Sequence, residues 1–269
     1  YLKSPTPYGH MTQWLSPSHP DTAEAPNMNM MITVGENTAK KVGISREQQD
    51  EWSYGSHMKA IAATDEGRFA EEIVPVQVPQ YKADPLTFEV DEHPRRDTSL
   101  EKLASLRPLT GPDGTVTAGN SSPINDGAAA LVLADARYAD ERGLQPLAYV
   151  RSWAAVGVPP RDTGIAPTLA IPKALKRAGI SLDDVKLVEV NEAFASMTVA
   201  TAKVLDIDPD IVNVNGGAVG LGHPVACSGA RILVTLIHEL RRRGGGFGVA
   251  SLCAGGGMGA ATVVEVPAP

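Results

Sequence analysis

Residues 186–204 read KLVEVNEAFASMTVATAKV. The first five carry Leu187, Val188 and Val190 in a run too short for a helix, and the rest is rich in small, helix-compatible residues. A strand followed at once by a helix is the simplest reading. A strand that is apolar along its length, rather than at every second residue, is covered on both faces. The same alternation continues outward. Downstream, a strand is expected at 211–214, a helix at 227–243, and strands at 247–252 and 260–266. Upstream lie a helix at 168–178 closed by Gly179, a strand at 147–156, a helix at 135–142 closed by Gly143, and a buried strand at 128–134 (AAALVLA). The class is α/β, with a sheet between helical layers.

Before residue 115 the texture differs. Pro5, Pro7, Pro17, Pro20 and Pro26 make residues 1–30 an irregular excursion. A helix is expected over 33–43, with Val34, Thr38 and Val42 four apart. The next is capped by Ser45 with Gln48 reaching back, and carries Tyr54, Met58 and Ile61 on one face. Residues 69–78 read as extended, 79–98 as polar and irregular, and 99–107 as a short helix. Residues 1–114 read as an insert or cap on the layered core.

The chain has 269 residues, 43% apolar and 20% charged, which excludes wholesale disorder. With 24 Lys+Arg against 31 Asp+Glu, its net charge of −7 argues against nucleic-acid binding. The tight basic clusters are Arg95-Arg96 and Arg241-Arg242-Arg243. No apolar run approaches the roughly 18 residues of a membrane span. Two cysteines, Cys227 and Cys253, fit a reducing, cytoplasmic compartment rather than a disulfide scaffold.

Three constellations carry chemistry. Asn191 stands directly after the strand KLVEV, where ligands meet parallel strands, although an asparagine there also caps a following helix. His223 lies in the loop NVNGGAVGLGHP (213–224), between Gly222 and Pro224 and just before a helix. Glycines let backbone amides approach a ligand, and a helix N-terminus beside an imidazole favours a developing oxyanion. Cys253 opens CAGGGMG (253–259) between two apolar strands. The triple glycine makes either a pocket of amides facing the thiol or a tight hairpin holding an inert cysteine. Cys227 reads as a small core residue. His10, His19, His57, His93 and His238 read as surface histidines. No P-loop, dinucleotide fingerprint or four-ligand metal spacing is present.

Together these motifs resemble the thiolase family. NEAFA (191–195), NVNGGAVGLGHP with SGAR (228–231), and CAGGGMG carry the resemblance. GISREQQDEWS (43–53), GRFAEEIVPV (67–76), DEHPR (91–95) and TVTAGNSSPINDGAAA (115–130) extend it over almost the whole chain. The resemblance implies a layered αβαβα fold, with 1–114 as the CoA-binding loop domain, 115–143 closing the N-terminal domain and 144–269 as the C-terminal domain. It implies Claisen condensation of acetyl-CoA, or thiolytic cleavage of 3-ketoacyl-CoA, through an acyl-cysteine. CoA thioesters would be substrates, with no permanently bound cofactor or metal. The partners implied are acyl-CoA and CoA, not nucleic acid or membrane, and a homodimer or homotetramer when full length.

Residue by residue, Cys253 matches the acid/base cysteine and His223 the histidine that raises the nucleophile's thiolate fraction and donates to the thioester oxygen. Asn191 matches the residue holding a water in that oxyanion hole, and Gly255 the amide of the second. Arg95 matches a CoA-contacting arginine, and Ala118 and Ser122 positions along the pantetheine tunnel. Neither cysteine matches the family's nucleophile, which precedes the loop domain. The chain alone is therefore expected to be inactive in condensation and cleavage, which need that nucleophile: a piece of a longer product, or one chain of a split thiolase. The alternative is a non-catalytic acyl-CoA-binding protein. Met30-Met31 stands where many short-chain thiolases have His-Met, Thr163–Pro167 replaces a common M-G-x-G-P, and Ala226 replaces a glycine.

Overall fold

The computed structural model describes residues 19–27 and 30–268, so Pro5, Pro7, Pro17 and His10 lie outside the described residues. The core is a four-stranded sheet. Helices α1 (Met30–Val42) and α2 (Arg46–Asp65), the hairpin β1 (Val76–Gln80) and β2 (Ala83–Phe88), α3 (Leu100–Ala104) and α4 (Ala136–Glu141) come before it. The core itself runs β3 (Tyr149–Gly157), α5 (Pro167–Ala178), β4 (Val185–Val190), α6 (Ala195–Leu205), the short α7 (Ala218–Leu221), α8 (Ser228–Arg242), β5 (Gly246–Ala254) and β6 (Met258–Val266). Strand order is β3-β6-β5-β4. Only β4 and β5 run parallel, because a helical crossover joins them; β5–β6 and β3–β6 are antiparallel.

Both faces of the sheet are covered. Val188, Val190, Val249, Ala261 and Val263 pack against Ala170, Ile171, Ala174 and Leu175 of α5. Leu187, Ala250, Val264 and Val266 pack against Leu236, Ile237 and Leu240 of α8. A Cβ on Gly248 would stand 2.8 Å from Leu236 and Leu240, so α8 sits close on β5.

Local signals placed most elements. Ser45 and Gln48 form the capping box of α2, Ser99 caps α3 and Asp135 caps α4. Gly143 and Gly179 take positive φ after their helices. Elsewhere the structure corrects the expectation. Residues 79–98 contain most of an antiparallel hairpin rather than irregular chain. Residues 128–134 form no strand: Val132 and Leu133 are 99% and 80% exposed, because no strand among the described residues pairs with them. At 211–214 the expected strand is one parallel bridge, Val188 to Val212. The buried face of α2 is not Tyr54, Met58 and Ile61 but Gln49, Asp50, Ser53, Ser56, His57, Ala60 and Ala63. That face lies against the glycine-rich loop, where a Cβ on Gly216 would be 2.6 Å from the Ser56 carbonyl. Only small or hydrogen-bonding residues fit so close an approach. His57, expected on the surface, is buried and lies 5.7 Å from the ring of His93. Burial, then His93 and Arg95, lower its pKa to about 4.

Glu72, in the turn after α2, has both carboxyl oxygens buried. Burial raises its pKa from 4.5 to about 7. The Thr235 hydroxyl and the Arg231 and Arg242 guanidiniums offset this only in part, and Asp91 adds to it. Below about pH 4.5 both folded and unfolded chains hold the proton; between there and about 7 only the folded chain does, so stability falls as pH rises. Glu72→Gln removes this titration. The variant is expected to be more stable than the parent by about 2–3 kcal/mol at about pH 8, and by little at about pH 4. Urea denaturation at the two pH values checks this, and an equal difference at both would contradict it.

Candidate functional site

The site forms where β4 and β5 end together. Val190 pairs with Ser251, and the Asn191 amide donates to the Ser251 carbonyl at 2.9 Å. A bend at Ala193 then leads to Phe194, which bridges to Ser121 and is itself the N-cap of α6. Asn191 therefore does not cap the helix, and its side chain is available for other work. Its Nδ2 donates to Nε2 of His223 at 3.3 Å.

The loop before α8 fixes His223. Gly222 takes φ +104°, and a Cβ there would be 2.7 Å from Asn125 Oδ1. That same oxygen accepts the His223 amide at 2.9 Å. On the other side of the ring, Nδ1 lies 2.6 Å from Ser228 Oγ, in the first turn of α8. Burial lowers the His223 pKa, so the neutral imidazole prevails at pH 7.

Glu192, fully buried, ties this loop to α2. Its carboxylate accepts from Trp52 Nε1 (2.8 Å), Ser56 Oγ (2.7 Å), Asn213 Nδ2 (2.8 Å) and the Val219 amide (3.0 Å). Ser56 in turn accepts the amides of Gly217 and Gly220 at 3.0 and 3.2 Å. A Cβ on Gly217 would be 2.1 Å from the Glu192 carboxyl carbon, which is why glycine stands there. The first asparagine of NVNGG also braces strand ends: Asn213 exchanges hydrogen bonds with the Val190 backbone, both at 2.8 Å.

Cys253 lies one residue beyond the level of Asn191 on the neighbouring strand. Its Sγ is 3.5 Å from Met197 Sδ, and it packs on the cluster of Val34, Val116, Ala193, Phe194 and Met197, beside Met30 and Met31. This apolar setting pushes the thiol up to about 11, so it is protonated at neutral pH. Past it, Gly257 is required by packing: its amide donates to Thr163 Oγ1 at 3.0 Å, and a Cβ would strike the Val158 carbonyl. Gly255 is different, since only Met31 Sδ comes within 3.7 Å of where its Cβ would be. Cys227 sits at the start of α8, half-buried rather than in the core, and burial raises its pKa too.

The structure thus joins Asn191 to His223 and sets Cys253 and Gly255 on the adjoining strand end. Ser122 straps the same loop, its amide and hydroxyl both donating to the Ala193 carbonyl at 3.1 Å. Ala118 is exposed nearby in sequence. Arg95 touches none of these: its backbone amide donates to His57 Nδ1 at 3.2 Å and its side chain is exposed. Glu192, Ser56, Asn125 and Ser228 are the supporting residues that the sequence reading did not single out. The serine of SGAR, one helical turn after GHP, was the available signal for the last.

A mixed sheet between helices thus brings a histidine and an asparagine into contact at the strand ends, with a thiol on the adjoining strand. Comparison with known proteins identifies the family. Residues 11–137 match the thiolase N-terminal domain family and 144–266 the thiolase C-terminal domain family. The chain is 52% identical over 244 residues to acetyl-CoA acetyltransferase of Chromobacterium violaceum, covering 91% of this chain and 62% of that protein. It is 48% identical over 269 residues to 3-ketoacyl-CoA thiolase of Bacillus subtilis, covering 96% and 68%. Among solved structures, Bacillus anthracis acetyl-CoA acetyltransferase superposes with a TM-score of 0.86 at 49% identity, over 88% of this chain and 60% of that one. Human mitochondrial 3-ketoacyl-CoA thiolase gives 0.85 at 46%, over 89% and 60%. The chain spans 59–62% of the length of the first three curated relatives. It belongs to the thiolase family and has the thiolase fold.

Proposed function

We propose that this chain supplies the proton-transfer and oxyanion side of a thiolase, acting on CoA thioesters in the condensation of acetyl-CoA or the thiolytic cleavage of 3-ketoacyl-CoA. The observation that supports it most is the Asn191–His223 contact, made at the strand ends beside Cys253. In this reading the Cys253 thiol, held protonated by its apolar surroundings, returns a proton to the leaving enolate in cleavage. In condensation it removes one from the α-carbon of acetyl-CoA. Because its pKa lies far above neutrality, cleavage finds the thiol already in the form it needs, whereas condensation must first ionise it.

Neutral His223 takes the proton of the attacking cysteine on Nε2 and then presents that N–H to the thioester oxygen, beside a water held by Asn191. The amide of Gly255 serves the second oxyanion hole, where packing leaves glycine unexplained. The acyl-carrying cysteine is neither Cys227 nor Cys253, both of which burial makes poor thiolates. Arg95 meets a CoA phosphate, and Ala118 and Ser122 flank the pantetheine arm. The working enzyme is a homodimer or homotetramer in the cytoplasm; among the described residues no helix is long and apolar enough to cross a membrane.

The reading is tested by calorimetric titration of the chain with acetyl-CoA. Saturable binding that Arg95→Ala weakens is expected. No heat of binding at millimolar acetyl-CoA would overturn the substrate class.

A further inference from the structure

The two ring nitrogens of His223 face different partners, and the hydrogens of those partners point to which nitrogen carries the proton. Ser228 is buried, and its hydroxyl has a single hydrogen. Its Oγ lies 3.0 Å from the Pro224 carbonyl, which can only accept, and 2.6 Å from His223 Nδ1. If the hydroxyl gives its hydrogen to Pro224, it must receive one from Nδ1. The other side of the ring agrees, since Asn191 Nδ2 can only donate and it faces Nε2. The donors then run in one direction: Asn191 to Nε2, Nδ1 to Ser228, and Ser228 to Pro224. The reverse arrangement would need the Asn191 amide turned over; the Pro224 carbonyl, which also accepts the Cys227 and Ser228 amides at 2.8 and 3.0 Å, would then lose the hydroxyl as its third donor. Asn125 holds the backbone of His223, so the ring cannot evade either partner by moving as a whole.

We infer that Ser228 is a positioning residue that fixes the tautomer of His223, keeping hydrogen on Nδ1 and leaving Nε2, on the Asn191 side, bare to take up a proton. Its catalytic consequence rests on the thiolase reading above; the tautomer itself does not. The proton moves from an attacking thiol to Nε2, giving a thiolate and an imidazolium. The imidazolium carries N–H on both nitrogens. Ser228 continues to accept from Nδ1, and Nε2 now donates to the developing oxyanion. One nitrogen thereby acts first as base and then as oxyanion donor, which the opposite tautomer cannot do without the ring flipping.

The test is nitrogen NMR of the folded chain with labelled imidazoles, at a pH where His223 is neutral, with its signals assigned by their loss in His223→Gln. The parent chain is expected to show protonated Nδ1 and bare Nε2. Ser228→Ala, which removes the acceptor with little change of volume, is expected to move the equilibrium toward Nε2–H. Ser228→Thr, which restores a hydroxyl, is expected to move it back. Deuterium exchange into acetyl-CoA, measured on the parent and on both variants, tests the thiolase reading separately, because in a chain with no attacking thiol it rests on Cys253 rather than on the His223 tautomer. A parent chain with hydrogen on Nε2, or an unchanged tautomer in Ser228→Ala, overturns the inference. The parent spectrum decides this even if the alanine variant does not fold. The parent tautomer as expected but no exchange in any sample would sink the thiolase reading and leave the role of Ser228 in place.

Discussion

Glu192→Ala is expected to cost about 3–5 kcal/mol of folding free energy, as measured by chemical denaturation. Removing one side of a buried charged network leaves its partners unsatisfied, and such losses are of this size. Here the partners are Trp52, Ser56, Asn213 and the Val219 amide, and each unpaired buried donor adds its own desolvation cost. A whole domain is stabilised by about 5–15 kcal/mol, so the variant sits at the edge of folding. Glu192→Gln keeps the shape but turns an NH₂ toward donors, and is expected to recover only part of the loss. Glu141→Ala, at an exposed carboxylate, is the control and should stay within about 0.5 kcal/mol. A Glu192→Ala chain within about 1 kcal/mol of the parent would show that the glycine-rich loop is held by something else.

Cys253→Ser is expected to slow α-proton exchange of bound acetyl-CoA by about 10²–10⁴-fold, the range for loss of a positioned acid or base. That corresponds to roughly 3–5 kcal/mol of barrier. Serine keeps the size and the hydrogen-bonding capacity but ionises several units higher than a thiol already pushed up to about 11. Acetyl-CoA affinity should be unchanged, because the thiol packs on Met197 and its cluster rather than holding the nucleotide. A purely structural cysteine in a hairpin predicts exchange within about threefold of the parent, less than 1 kcal/mol, and that result would remove Cys253 from the proton transfer.

What the sequence made legible was local. The run KLVEV, the Ser45–Gln48 capping box and the glycines closing α4 and α5 each act over a few residues, and the structure keeps all of them. The run AAALVLA reads as a strand because it is apolar, but a strand exists only with a partner, and pairing is not written in the run itself. Residues 211–214 fail for the same reason, with a single bridge to Val188. Apolar periodicity points to the wrong face of α2 because it assumes side-chain packing, whereas this helix meets a glycine loop at backbone distance. At the site, His223, Asn191 and Cys253 stood out through the glycines and strand ends around them. Glu192 and Ser56 did not, since a buried polar residue is informative only beside its partner, and these two are 136 residues apart.

Central to the proposed function is a site on this chain that moves a proton at the carbon next to a CoA thioester. The direct measurement is proton NMR of acetyl-CoA incubated with the chain in deuterium oxide. The predicted result is progressive loss of the acetyl methyl signal well above the buffer rate, absent when Cys253→Ser replaces the parent. A methyl signal that decays at the buffer rate while acetyl-CoA is demonstrably bound would contradict it.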